Sequence, residues 1–142
     1  MIRAEHLQIG DYVKYTNPSY IQVASITKKK IGYHIEPNES RMHYVRLCEV
    51  EPIPLTTEIL EKNGIVLTDD YNDEGDNHPV FKRWMYSEGR MYISIVPDVY
   101  QMEVYNGNIA RTINFYTDAD TIFVHQLQHV LRLCGIEKEI EL

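Results

Sequence analysis

The chain has 142 residues, 44% hydrophobic and 25% charged, which is long enough to bury a real core and too apolar for disorder throughout. Fourteen basic against twenty-one acidic residues give a net charge of -7, which argues against a whole-molecule electrostatic grip on nucleic acid. Eleven Tyr beside three Phe and one Trp suit half-exposed strands better than a helical bundle.

Residues 1–55 read as short strands. Leu7 to Tyr15 alternates apolar and polar after a turn at Gly10-Asp11, and Asn17-Pro18-Ser19 is a turn by composition. Tyr20 to Thr27 is expected as one strand, with Ile21, Val23 and Ser25 on one face. Ile31 to Ile35 follows a lysine run, Glu36 to Ser40 breaks the pattern, and Met42 to Val50 is the last strand. The expectation is a small SH3-like β-barrel. It ends at Glu51-Pro52-Ile53-Pro54-Leu55, where two prolines remove backbone donors. Charge changes at the same place. Residues 1–55 hold seven basic and six acidic side chains, a net of +1, and the rest carry -8.

Residues 56–142 form the second expected subdomain. Thr56 to Gly64 has the parts of a short helix, with Thr56 as cap and Gly64 as stop. Thr68 to Pro79 is expected to be an acidic loop. Strands at 80–86, 90–96, 99–105 and 109–115 flank turns at Ser87-Glu88-Gly89 and Asn106-Gly107-Asn108 and make a four-stranded antiparallel meander. From Asp118 to Cys134, Phe123, Leu127, Val130, Leu131 and Cys134 form one apolar stripe of a helix expected to cover the meander. Thr117 and Asp120 make a capping-box-like start, and Ile136 to Leu142 is a closing strand or a docked tail. The fold class is α+β.

Few residues point to chemistry. His125 and His129 share a helix face, yet Gln126 stands where a zinc peptidase has its Glu, so a polar helix flank is expected and no metal. Placing Gly75 at loop position six of an EF-hand puts Asp70 at one and Phe81 at twelve, where a bidentate Glu is required, which removes that reading. No nucleophile elbow, phosphate loop or dinucleotide fingerprint occurs, so no catalytic residue and no cofactor are assigned. Cys48 and Cys134 are expected as reduced, buried thiols. The contact residues are Lys28, Lys29, Lys30, Tyr33, Arg41, His43, Tyr44 and Arg46, a basic set with tyrosines for stacking. With no apolar leader and no run of eighteen apolar residues, a cytoplasmic protein without membrane contact is expected.

Ile9 to Val13, Glu51 to Thr56 with Ile59 to Gly64, and Val124-His125-Gln126-Leu127-Gln128 occur in that order. Together they resemble the "GN/DxV" opening, "PIPLTxExLxKxGF" linker-helix and "VHxLQNLYxALTGxEL" ending of a family of small uncharacterised proteins from gut Bacteroidota, their prophages and mobile elements. The chain departs from that ending at His129 and at Arg132 to Ile136. The resemblance implies a phage or mobile-element setting. The leading expectation is a non-catalytic interaction or accessory protein acting through a protein partner, with a homodimer through a strand edge or the tail as the self-pairing version. A weak nucleic-acid-binding N-terminal module comes second, and an enzyme of unrecognised type third.

Overall fold

The computed structural model describes residues 2–16, 19–71, 81–97, 101–107, 109–114 and 121–142. In chain order its strands and helices are β1 (Tyr12–Lys14), β2 (Tyr20–Gln22), β3 (Ser25–Ile26), β4 (Lys30–Tyr33), β5 (His43–Arg46), α1 (Thr57–Lys62), β6 (Val66–Tyr71), β7 (Phe81–Glu88), β8 (Met91–Val96), β9 (Gln101–Asn106), β10 (Ile109–Asn114) and α2 (Val124–Leu133). Short 3-10 turns stand at Ala4–His6 and Leu47–Glu49. The protein is mixed α and β with antiparallel sheets, and it divides into two compact units. The first comprises Met1–Pro54 with Phe123–Leu133, and the second Leu55–Ile122 with Cys134–Leu142.

In the first unit, β1 pairs with β2, and β3, β4 and β5 form a separate three-stranded sheet. The described strands do not close into one barrel. The stretch expected as a single strand from Tyr20 to Thr27 is broken between Gln22 and Ser25. Val23 donates to the Asp11 carbonyl, while Ala24 donates to the Gly32 carbonyl, so the chain changes sheets between the two residues. The break also ends the expected face alternation. Ile26 lies against the core with Ile31 opposite it, and Ser25 faces outward with Gly32. After the turn at Leu47–Glu49 the chain returns to β1, where Lys14 and Glu51 exchange both backbone hydrogen bonds at 2.9 and 2.8 Å. Ile2, Leu7, Val13, Ile21, Val23, Ile31, Val45, Leu47 and Val50 make the core. Helix α2 belongs to this unit, and the amide of its first residue, Val124, donates to the Ile53 carbonyl.

The second unit opens with α1 as expected. The Thr56 hydroxyl accepts the Ile59 amide, and Gly64 takes the left-handed conformation that ends the helix. The sheet order is β10-β9-β8-β7-β6, all antiparallel. Both expected hairpins are present, with Gly89 and Gly107 at positive φ in their turns. The meander has five described strands rather than four. Val66–Tyr71, read in part as the start of an acidic loop, pairs with β7, with a register shift between Leu67 and Asp69. A strand forms there because pairing to β7 satisfies its backbone despite two adjacent aspartates. The rest of that acidic segment, 72–80, lies outside the described residues. Trp84, Ile95 and Met102 sit opposite one another on successive strands and are all buried, as is Ile93.

The tail 134–142 is docked without becoming a strand. Ile136 and Ile140 are buried, and Asn63 at the end of α1 clasps the backbone of Glu141 from both sides. Its amide nitrogen donates to the Glu141 carbonyl at 2.8 Å, and its oxygen accepts the Glu141 amide at 2.9 Å. Lys62 adds a bond to the Leu142 carbonyl.

Helix α2 is described from Val124, so the expected cap at Thr117 and Asp120 lies outside the described residues. Leu127, Val130 and Leu131 are buried as the stripe requires. Cys134 is not part of it, because the helix ends at Leu133 and the thiol is only half-buried. Cys48, expected to be buried, is exposed on the 3-10 turn after β5, where its neighbour Leu47 takes the core position.

Candidate functional site

Strand alternation divides the eight expected contact residues. Ile31 and Val45 face each other in the core, so Tyr33 and His43, also opposite each other, lie on that inner face. Lys30 opposite Arg46, and Gly32 opposite Tyr44, point the other way. Tyr33 packs against the core and stands between the rings of Tyr15 and His43, with centroids 6.1 and 5.8 Å away. His43 is held by Glu39 at 3.1 Å, and that bond keeps the Glu39 carboxyl below the usual carboxylate range. The Arg41 carbonyl meets His34 Nδ1 at 3.1 Å.

Lys30, Tyr44 and Arg46 therefore share the outer face of the three-stranded sheet. Tyr44 is 59% exposed. Its cross-strand partner is Gly32, over which Ser25 Oγ and Met42 Sδ pack so closely that a Cβ there would collide with both. Lys28 and Lys29 occupy the turn into β4. Thr27 and Lys30 close that turn with three hydrogen bonds of 2.8 to 3.0 Å, and the Leu47 amide donates to the Lys29 carbonyl. Arg46 is paired with Glu49 at 2.7 Å. Lys28, Lys29 and Lys30 make no ion pair among the described residues.

A polar cluster lies elsewhere in this unit, where three side chains of α2 meet the Gln8–Tyr12 segment. The Asp11 carboxylate is fully buried. One oxygen accepts the Gln8 amide at 2.7 Å and His129 Nε2 at 2.8 Å, and the other accepts Arg132 at 2.6 Å. Burial by itself would raise the Asp11 pKa, but the bonds from His129, the Gln8 amide and Arg132 outweigh it and hold the group below its ordinary value. Gln128, also buried, accepts the Tyr12 amide and donates to the Gly10 carbonyl. Gly10 has φ of +90°, and a Cβ there would approach Arg132 at 3.0 Å. The Gly-Asp pair thus makes the turn and supplies the anchor for α2.

His125 and Gln128 are consequently buried and not part of an exposed polar flank. The His125 ring stacks on Phe123 and meets His129 edge-on at 5.7 Å. Its Nδ1 is buried without a hydrogen-bond partner. Burial lowers its pKa to about 4; Asp11 opposes that shift, while His129 and His6 add to it. Among the described residues no three His, Cys, Asp or Glu side chains could hold a metal ion. The geometry uses His129 to fasten Asp11, and among the described residues no nucleophile is bonded to this pair. Of this cluster, the expected polar helix flank held His125, His129, Gln128 and Arg132, and their partner Asp11 was not foreseen. The available signal was the i, i+3, i+4, i+7 spacing of 125, 128, 129 and 132, a second polar face on a helix with an apolar stripe.

The units differ in charge. The first holds eight basic and six acidic residues, net +2, and the second six and fifteen, net -9. No helix among the described residues is long and apolar enough to cross a membrane. Comparison with protein-family models, with curated proteins and with solved structures finds no match in any of the three.

Proposed function

We propose that this is a non-catalytic interaction protein of the cytoplasm, an accessory factor of a phage or mobile element that works through protein–protein contacts. The observation that carries the reading is the edge of the five-stranded sheet. Strand β10 pairs only with β9 among the described residues, and Ile109 to Thr112 and Asn114 are exposed. It is six residues long, contains no proline, and has Arg111 as its one charge. Natural proteins usually blunt such an edge, and one left open is a template for strand addition. Val66 and Leu67 on β6, at the opposite edge, are exposed apolar side chains as well.

The same proposal includes a finer reading of the first unit as an SH3-like barrel with an open seam. Its support is the order of parts: β1, a strand broken where it changes sheets, two more strands, a 3-10 turn, and a return of Glu51 to Lys14. Such small barrels present loops and edges to partners while their cores stay intact.

The test is affinity capture with the full chain from nuclease-treated lysate of a gut Bacteroidota strain, together with light scattering for self-association. A defined protein, or a second copy, should bind wild type and be lost from Thr112→Pro, which removes a donor from β10. The variant should melt within a few degrees of wild type. Equal capture by both forms, or no protein captured and a strict monomer, defeats the proposal.

A further inference from the structure

We propose that the outer face of β3–β5 binds the backbone of a single-stranded nucleic acid, with one base stacked on Tyr44. This surface belongs to the first unit and does not depend on the sheet-edge reading. Three observations carry it. The register places Lys30 beside Arg46 and, one pair further along the same face, leaves the exposed Tyr44 ring opposite a glycine. Lys28 and Lys29 extend the cationic row from a turn already closed by its own hydrogen bonds, so little ordering entropy is lost when an anion binds there. None of the three lysines is neutralised by a carboxylate among the described residues.

Chemistry selects the ligand. Lysine ammonium groups and a guanidinium grip phosphate oxygens, and a free tyrosine face stacks an unpaired base of any sequence. Glu49 takes one edge of the Arg46 guanidinium, and the remaining N–H donors stay available. A duplex hides its base faces and cannot use Tyr44. The affinity is modest, because Glu49 and the net charge of -7 both oppose a polyanion.

The experiment is fluorescence anisotropy with the full-length protein and a labelled oligothymidylate of about 20 nucleotides. Expected is saturable binding in the tens of micromolar at about 50 mM salt, weakening about twentyfold by about 200 mM, the slope of roughly three phosphate contacts. The triple variant K28E/K29E/K30E should abolish binding, and Tyr44→Ala should weaken it about tenfold, as loss of one stacked base does. Both variants should keep the wild-type melting temperature, since they alter a turn and an exposed ring. No saturable binding at about 200 μM protein in about 50 mM salt would overturn the proposal. So would wild-type affinity in Tyr44→Ala, duplex binding as tight as single-strand binding, or a labelled oligoglutamate that binds more tightly than the oligothymidylate.

Discussion

The two units each fasten a late segment of the chain to an early one, and they do so with opposite chemistry. In the first, α2 meets the Gln8–Tyr12 segment through a buried carboxylate, an imidazole, a guanidinium and an amide. In the second, the tail meets the end of α1 through the amide of Asn63, aided by Lys62 at the exposed margin. Charge-assisted bonds are individually stronger, but they carry a desolvation cost and respond to pH. A neutral amide, which here donates to the Ile59 and Glu141 carbonyls and accepts the Glu141 amide, makes a weaker clasp that proton concentration does not touch. The first seam is therefore the sensitive part of the protein, and the second is indifferent to pH.

That contrast can be broken in graded steps. The largest effect is expected when α2 loses its apolar anchor. Leu127 is 1% exposed, and Leu127→Asp should abolish cooperative unfolding in a urea titration, because it puts an unpaired charge where a large apolar side chain was. A midpoint near that of wild type would mean that the polar seam alone holds the helix.

Next comes Asp11→Ala, which leaves His129 and Arg132 facing an apolar gap. Removing one partner of a buried ion pair costs roughly 3 to 5 kcal/mol, and the partial exposure of Arg132 and His129 favours the lower end, about 3 kcal/mol. Chemical denaturation at pH 7 measures it. A loss below about 1 kcal/mol would show that the seam adds no net stability.

His125 supplies the pH dependence. Its folded pKa of about 4 lies below the ordinary histidine value of 6.5, so the fold favours the neutral ring. Stability from this group is complete above pH 6.5 and is lost as pH falls toward 4. By linkage the loss is about 2 kcal/mol at pH 5. Asp11, held below its ordinary value, stays ionised through that window and contributes no loss there. His125→Phe keeps the stacking on Phe123 and removes the titration, so its stability should fall less than that of wild type between pH 7 and pH 5. Parallel pH curves for the two proteins would refute the assignment.

The smallest effect belongs to the second unit. Asn63→Ala should cost about 1 kcal/mol, since the freed Glu141 backbone can reach water, and the cost should be the same at pH 5 and pH 7. A pH-dependent loss would erase the distinction between the two fastenings.

Much of the local structure was legible in the sequence because it rests on neighbouring residues. Thr56 and Gly64 bracket α1, and Asn106-Gly107 and Gly89 turn the hairpins, since caps and positive φ are decided within a few positions. The buried positions of α2 at 127, 130 and 131 follow from spacing alone. Of the expected contact set, Lys30, Tyr44 and Arg46 share a face, while Tyr33 and His43 lie on the other. A one-residue alternation decides that division, and the list of residue types did not contain it.

Length, composition and the hydrophobic periods determined an α+β chain with short N-terminal strands, a capped linker helix, a hairpin-rich sheet and a terminal amphipathic helix. Only the tertiary structure decided that Val66–Tyr71 is a strand, because its backbone needs β7 as partner and its own aspartates argue otherwise. Only the tertiary structure joined Asp11 to His129 and Arg132, more than a hundred residues away. A buried carboxylate is stable where hydrogen-bond donors from another part of the chain surround it, and no local pattern encodes where those donors will come from. The same reason hid the role of Asn63, whose side chain looks like a helix-end residue until the tail arrives to use both of its polar atoms.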